Sequence, residues 1–183
     1  MEHFIEIKIK PDAEMRENVL LNKVYAKFHK RLFDLKSSEI GISFPEYSLK
    51  LGTTIRLHGN EKHLQEFQSD NWLGGLKGYC DTSEIKTIPE NVVHRTISRK
   101  QVNMTSSKLR RLIKRGSIEH NEIKRYKAEM FKKGIDNPFI ELESSSNGNM
   151  HRRYIQFGEF KKVPAAGQFD CFGLSNTATV PWF

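Results

Sequence analysis

The sequence predicts an α+β fold in two parts, and three observations lead to that prediction. In the first 80 residues, short runs of alternating apolar and polar residues have the period of half-buried strands. Between those runs, as from Leu21 to Leu32, apolar residues recur at the spacing of a helix. From Arg95 to Arg115 the chain holds eight basic residues and no acidic one, so its second half differs in character. We therefore expect domains at residues 1–94 and 95–183.

The first part is predicted to have the element order β-α-β-β-α-β. Ile5, Ile7 and Ile9 alternate with polar residues as in a strand, which Pro11 ends. The other predicted elements are a helix from about residue 13 to 32, strands at 40–44 and 53–57, a short helix capped by Asn60, and a strand at 76–80. That order is the ferredoxin-like arrangement, which RNA-binding modules often use. The chain has no R-G-F-x-F-type run of aromatic residues, so binding in the manner of an RNA-recognition motif is not supported.

The second part is predicted to be smaller and to carry an Arg-rich helix. Its predicted elements are a strand at 92–97, a helix capped by Thr105 or Ser106 that ends at Arg115, a helix from Ser117 to about Lys133, and strands at 139–142 and 154–157 with the polar loop 144–149 between them. Gly116 suits the left-handed position after the first of these helices. The apolar residues among the last five positions are expected to dock on the core.

Charge and composition limit the classes of function. The chain has 30 basic and 22 acidic residues, a net charge of +8, and without the window Arg95–Arg115 it would have 22 of each. A localised excess of positive charge is typical of proteins that bind nucleic acids. No apolar run approaches the roughly 18 residues of a membrane span, and no signal peptide is recognisable, so we expect a cytoplasmic protein with no membrane partner. Cys80 and Cys171 are far apart and are interpreted as reduced, buried thiols.

Within the basic window, residues 108–115 are predicted to form an amphipathic helix. One face is apolar and the other basic: Leu109, Leu112 and Ile113 against Lys108, Arg111 and Arg115, with Arg110 and Lys114 on the flanks. A solvated surface is the ordinary interpretation of a charged face, but such surfaces usually mix both signs. Contact with a nucleic acid is therefore favoured.

DNA is the competing ligand for this basic helix. Two helices joined at Gly116 and Ser117 resemble a helix-turn-helix, whose second helix reads the major groove. Here the second helix contains Glu119, Glu122 and Glu129 while the first carries the positive charge, which favours RNA. Because the major groove of A-form RNA is deep and narrow, such a helix inserts only where the groove opens, as at the end of a short hairpin stem.

Two features are candidates for chemistry. His29 follows Phe28 of the first long helix, and we expect it at the border between core and solvent, where an imidazole can carry a proton. For a lone histidine, the ordinary interpretation is that it only satisfies a backbone carbonyl. The loop 144–149 offers hydroxyls and amides to phosphate or ribose, but the ordinary role of such residues is to form a hairpin turn. No acidic cluster suited to Mg²⁺ lies near either element, and the histidines show no paired spacing. If the chain cuts nucleic acid, a metal-free route is implied, for which the RNA 2′-OH supplies a nucleophile.

Several segments together resemble one family. They are E-H-F-I-E-I-K-I-K-P-D at the start, K-F-H at 27–29, I-G-I-S-F-P at 40–45, S-R-K-Q at 98–101, the Arg-rich helix, residues 144–148, and the ending C-F-G-L-S … V-P-W-F. Over its whole length the chain resembles the CRISPR-associated endoribonuclease that processes repeat RNA in type I-F systems.

The resemblance implies an enzyme that binds the hairpin of a CRISPR repeat and cuts the precursor RNA at the 3′ base of the stem. It implies that the cut needs no metal or other cofactor and leaves a 2′,3′-cyclic phosphate. The product RNA stays bound, and the enzyme joins the other subunits of a surveillance complex.

The resemblance also assigns roles to residues. His29 is the general base that takes the proton of the 2′-OH, Ser144 holds the ribose before the cut, and Ser146 lies beside it. The implied RNA-binding residues are Arg99, Gln101, Lys108, Arg110, Arg111, Lys114, Arg115 and His151. Of these, Arg99 and Gln101 read the foot of the stem, and Arg111 holds phosphates. Lys114 and Arg115 approach a guanine near the cut.

Three positions depart from the family's pattern. Phe172 occupies the position of an active-site tyrosine, His151 stands where the family stacks a phenylalanine on the RNA, and Lys114 replaces an arginine. An ammonium group cannot form the bidentate contact of arginine with guanine, so we expect a shifted readout of the repeat. A catalytically silent hairpin-binding subunit is the alternative to an enzyme, and a DNA-binding regulator is the third hypothesis.

Overall fold

The structure, a computed structural model, describes residues 1–101, 104, 106–132, 137–144 and 148–183. In chain order the first elements are β1 (His3–Ile9), α1 (Glu17–Leu35), β2 (Gly41–Ser43), β3 (Thr54–Gly59), α2 (Glu61–Gln68), a 3₁₀ helix (Gly74–Tyr79), β4 (Cys80–Thr82) and β5 (Lys86–Thr87). Then follow β6 (Val93–Arg95), β7 (Ile97–Lys100), α3 (Ser106–Lys114), α4 (His120–Lys132), β8 (Phe139–Glu143), β9 (Met150–Phe157) and β10 (Val180–Trp182).

The main sheet has the strand order β2-β3-β1-β4, with β5 also paired to β1, and each of these pairings is antiparallel. Its strands and helices follow one another as β1-α1-β2-β3-α2-β4, so the predicted mixture of helices and strands is confirmed. Ile5, Ile7 and Ile9 alternate along β1 because that face of the sheet is buried in the hydrophobic core, together with the apolar side of α1. This packing fixes the helix that carries His29.

The opposite face of the main sheet is covered by the last residues of the chain. Arg56 on β3 pairs with Glu6 at 2.7 Å, donates a hydrogen bond to the Phe183 oxygen and lies 4.2 Å from the centre of the Phe183 ring. The Phe183 ring also meets Phe4 edge-on, at 5.0 Å between ring centres. The strand β10 pairs with β6, and Val180 is fully buried. The predicted docking of the tail is thereby confirmed.

A second sheet, in the order β7-β9-β8, packs against α1. Ile140 on β8 and Ile155 on β9 are fully buried and belong to the same hydrophobic core as α1. A hydrogen bond of 3.1 Å from the Glu141 backbone N–H to Asn22 Oδ1 ties β8 to the helix. One continuous core therefore joins the two predicted parts of the chain.

Three predicted elements in the described residues are wrong in type or extent. Residues 76–79 form a 3₁₀ helix rather than a strand, because glycines 74, 75 and 78 interrupt the segment and Gly74 has a φ of +55°. The predicted strand at 92–97 divides at Thr96 into β6 and β7, which pair with β10 and β9 in different sheets. The second basic-region helix starts at His120 instead of Ser117, because the Glu122 carboxylate accepts the Glu119 backbone N–H at 3.0 Å.

Two predicted caps are confirmed. The Asn60 side chain accepts the His63 backbone N–H at 2.8 Å and starts α2. At the end of α3, Gly116 has a φ of +65°, and the backbone N–H groups of Gly116 and Ser117 donate to Ile113 and Leu112. Thr105, Lys133 and the residues 145–147 lie outside the described residues.

The apolar face of α3 is narrower than predicted. Leu109 is buried and Leu112 half-buried, but the Ile113 side chain is 46% exposed. The prediction that both cysteines are buried is correct for Cys80 only, since Cys171 is half-buried. Among the helices of the described ranges, none combines the length and the apolar character required to cross a membrane.

Candidate active site and nucleic-acid interface

His29 lies half-buried on α1, at the expected border between core and solvent. Its Nδ1 is 2.8 Å from the backbone oxygen of Cys171. Because a carbonyl oxygen can only accept, Nδ1 of the neutral imidazole carries the hydrogen, and the lone pair is left on Nε2. The contact therefore sets the tautomer that can take a proton at Nε2.

Phe172 fixes the plane of this imidazole. Its ring stacks on His29 with 3.6 Å between the ring centres and 11° between the planes. The buried Tyr25, one helical turn before His29, donates a hydrogen bond of 3.0 Å to the Phe172 backbone oxygen. Burial raises the pKa of Tyr25, so its hydroxyl acts as a neutral donor. Tyr25 and His29 thus hold the same loop from one face of α1.

The loop that holds His29 is itself closed by Asp170. Its Oδ1 accepts the backbone N–H groups of Phe172 and Leu174, each at 2.9 Å. Gly173 has a φ of +69°, and a Cβ there would lie 2.9 Å from a ring carbon of Phe28. Both the turn and the close approach require glycine. We call residues 170–174 the clasp loop.

The surroundings of His29 lower its pKa. Burial is the largest cause, and the positive charge of Arg153 acts in the same direction. The hydrogen bond to Cys171, whose influence is second to burial and larger than that of Arg153, raises the pKa, as does the negative charge of Asp170; burial outweighs them. At neutral pH the imidazole is therefore uncharged and able to act as a base.

A cleft of about 580 Å³ brings together residues that are far apart in sequence. His29, Ser144, His151 and Phe172 line it, with Lys30, Asp34 and Glu143. The Ser144 carbonyl accepts the Gly148 backbone N–H at 2.8 Å. Ser146, the third residue predicted for catalysis, lies outside the described residues. The cleft is the candidate site because it holds both described residues that were predicted for chemistry.

A slightly larger cleft, of about 640 Å³, lies elsewhere on the molecule. It is lined by the start of α1, residues 49–51 and the start of β8. The described residues that line it include no histidine and none of the predicted site residues. Volume alone does not identify a site, and we assign the chemistry to the cleft of His29.

The predicted RNA-binding residues are all exposed. Arg99 is near the end of β7, and Gln101 follows that strand. The basic residues of α3 and its end are Lys108, Arg110, Arg111, Lys114 and Arg115. Among the described residues that line the cleft of His29, His151 is the only one of this predicted set. The structure therefore separates a half-buried cleft from a solvent-facing basic surface.

Arg153 and the clasp loop were missed at the level of sequence. Arg153 is buried on β9, between the exposed Arg152 and the half-buried Tyr154. A charged residue at an inward position of an alternating strand was a signal that could have singled it out. The contacts of the clasp loop with His29 had no such signal, since they join α1 to a loop from the far end of the chain.

In the part of the chain that the structure describes, no group of three or more histidine, cysteine, aspartate or glutamate side chains could hold a metal ion.

Comparisons with known proteins identify relatives along the whole chain. Residues 4–183 match the family Cas_Csy4, described as CRISPR-associated protein. The "CRISPR-associated endonuclease Cas6/Csy4" of Escherichia coli (strain UTI89 / UPEC) is 34% identical over 184 residues, 100% of both chains. The protein of the same name from Pseudomonas aeruginosa (strain UCBPP-PA14) is 30% identical over 187 residues, again 100% of both. These matches confirm the resemblance inferred from the sequence motifs.

A solved structure of the CRISPR endoribonuclease Cse3 bound to a 19-nucleotide RNA also matches, with a TM-score of 0.41 and 11% identity. The match covers 99% of this chain and 100% of that one, but a likeness this weak carries no argument.

Proposed function

Because this chain belongs to the Cas_Csy4 family of CRISPR-associated proteins, we propose that it is an endoribonuclease that cuts precursor CRISPR RNA. It binds the hairpin of the repeat and cuts at the 3′ base of the stem without a metal ion or other cofactor. It then stays on the product RNA in the cytoplasm and joins the other subunits of a type I-F surveillance complex. Both relatives are named endonucleases, and each matches this chain over its full length, which supports cleavage as the class of reaction.

One observation carries the proposal. His29 and Ser144 line the same cleft, and the contacts of the His29 imidazole with the Cys171 oxygen and the Phe172 ring set its tautomer and its plane. His29 Nε2 takes the proton of the 2′-OH, and the resulting oxygen attacks the adjacent phosphorus. A 2′,3′-cyclic phosphate forms as the 5′-oxygen leaves and takes up a proton. An imidazole that is neutral at pH 7 is suited to this step.

The other residues of the cleft bind rather than react. Ser144 holds the ribose before the cut, with Ser146 beside it, and the exposed ring of His151 stacks on the RNA. Phe172 has no hydroxyl to offer, so its part is to hold His29 in place.

The solvent-facing basic surface holds and registers the hairpin. Arg99 and Gln101 read the foot of the stem, while Arg111 contacts phosphates. Lys114 and Arg115 approach a guanine near the cut, with Lys108 and Arg110 on the same helix. Their exposure supports this assignment, because a polyanion needs cations that it can reach.

The proposal also assigns the chain to two units, both of which contribute residues to the cleft of His29. Residues 1–94 form a ferredoxin-like unit, which the element order and the strand order β2-β3-β1-β4 support. Residues 95–183 form the RNA-binding unit, which carries the basic helix.

The decisive experiment uses the purified chain, its repeat hairpin and EDTA. We expect one cut at the 3′ base of the stem and a product with a 2′,3′-cyclic phosphate. A hairpin with a single 2′-deoxy nucleotide before the cut should bind equally well and remain intact. If that hairpin is cut at the normal rate, the 2′-OH mechanism is wrong.

Phe172 favours one alternative, a hairpin-binding subunit without activity, because the family's tyrosine is absent at that position. Tight binding of the unmodified hairpin without any cut, in EDTA and in Mg²⁺ alike, would establish it.

A further inference from the structure

Arg153 is a buried guanidinium beside the candidate site. It lies on β9, opposite Ile140 of β8 and two residues before Ile155, both of which are fully buried. Only 7% of Arg153 is exposed, whereas the preceding Arg152 points outward and bonds Glu141 at 3.0 Å. The two neighbouring arginines thus face opposite sides of one sheet.

Arg153 lacks the partners that a buried charge usually has. Within the described residues its Nε has no hydrogen-bond partner, and no carboxylate forms an ion pair with it. Burial lowers the pKa of Arg153, but a guanidinium remains protonated at neutral pH. The nearby Tyr25 is neutral and gives no counter-charge. The negative charge of Asp170 acts on Arg153 from nearby but forms no ion pair with it in the described residues. A buried cation without a paired carboxylate is costly, so its presence calls for a reason.

Its contacts supply that reason. The Arg153 Cζ lies 3.4 Å from the centre of the Phe172 ring, and the His29 ring lies 3.6 Å from the same centre. Two groups cannot occupy the same face of a ring at these distances. Phe172 is therefore sandwiched, with the guanidinium on one face and the imidazole on the other.

We propose that Arg153 is a positioning residue for His29: it holds the Phe172 ring against the imidazole and keeps the imidazole uncharged. A protonated His29 would place a second cation across a single ring from the first, and the two charges would repel each other. The neutral imidazole, the form that accepts a proton, avoids that repulsion. This inference rests on the proposed function, in which His29 is the general base.

Other charged groups also face His29. Lys30, Asp34 and Glu143 line the same cleft, as does His151, and Asp170 anchors the clasp loop. Lys30 and Asp34 pair with each other at 3.0 Å, so they largely cancel. The negative charge of Asp170 opposes the charge of Arg153. None of these groups changes when Arg153 alone is replaced, so a comparison of variants isolates its effect.

The direct test is an NMR titration of the His29 imidazole in the free protein, which requires no cleavage. With Arg153→Met, the midpoint should move to higher pH by at least about half a unit, the effect of removing one charge roughly 7 Å away when screening is as strong as in bulk water. Arg153→Lys keeps the charge and should keep the midpoint. Arg152→Met is the matched control: it removes an equal charge from the outward face and should leave the midpoint in place.

An unmoved midpoint in Arg153→Met, or an equal shift in Arg152→Met, would overturn the inference. Arg153→Gln provides a second neutral variant if Arg153→Met does not fold, as judged by its thermal melting curve.

Cleavage of the repeat hairpin gives the second readout. The apolar chain of Met still packs on the Phe172 ring, so Arg153→Met removes the charge while the ring stays in place. In single turnover it should lose at least about threefold in rate on the acidic side of the pH profile and recover to near the wild-type rate at high pH. A merely structural role would lower the rate at every pH, and that result would overturn the inference. If the titration shifts as expected but the wild-type chain does not cut, the proposed function fails while the effect of Arg153 on His29 stands.

Discussion

In the proposed function, the cleft of His29 and the helix α3 bind the same RNA in opposite ways. In the cleft, the His29 imidazole is held by the Cys171 carbonyl and by the stacked Phe172 ring. Both residues belong to the clasp loop, which Asp170 stabilises. On α3, the basic side chains are exposed to solvent along one side of a short helix. A proton transfer demands one geometry, whereas attraction to a chain of phosphates tolerates many. If the proposed roles are correct, this chain holds the groups that react in a fixed geometry and leaves the groups that attract the RNA exposed to solvent.

The largest expected effect comes from His29. His29→Ala should lower the single-turnover cleavage rate by about 10²- to 10⁴-fold, because the base is lost, and should change the dissociation constant of the hairpin little. Rates and binding are measured on the same labelled hairpin. His63→Ala, which removes another half-buried histidine, is the control and should cut normally. Normal cleavage by His29→Ala would place the chemistry outside the cleft and end the contrast between the two regions.

The next effect tests whether the cleft depends on its loop. Asp170→Ala removes the acceptor of two backbone N–H groups, so we expect about tenfold slower cleavage and a loss of about 1 kcal/mol in the free energy of unfolding. Urea denaturation and single-turnover rates measure the two quantities. Asp170→Asn keeps the accepting oxygen and should retain most of the activity. If both variants cut like the wild type, the geometry of the cleft does not require the clasp loop.

The smallest expected effect lies on the basic helix. Arg111→Ala should weaken hairpin binding a few-fold and lower the salt dependence of binding by about one unit of slope, with the cleavage rate of the bound hairpin unchanged. Binding is measured at several salt concentrations. Arg125→Ala, an exposed arginine of α4 paired with Glu129, is the control. A slower cut at saturating enzyme would mean that α3 also shapes the reacting geometry.

Much of the fold could be predicted because apolar spacing reports burial directly. The alternation of Ile5, Ile7 and Ile9 and the polar cap Asn60 are both local patterns, and both hold. The failures are of another kind. The break of a strand at Thr96 depends on two partner strands, β9 and β10, which lie more than 50 residues further along the chain.

The candidate site divides in the same way. His29 could be singled out by its place beside the apolar face of a helix, and the basic window by its charge alone. The sandwich of His29, Phe172 and Arg153 could not be predicted, because its members come from α1, the clasp loop and β9. The spacing of these three residues along the chain does not indicate that they are in contact.

By itself, the sequence determined the family, the order of the elements in the first part and the separation of the basic window from His29. These properties follow from residue types and local periodicity, neither of which depends on contacts between distant segments. Only the tertiary structure decided which nitrogen of His29 can accept a proton, which ring holds it and which cation lies behind that ring. Such relations depend on distances of 3 to 4 Å between distant segments, and the packing of one shared core sets those distances.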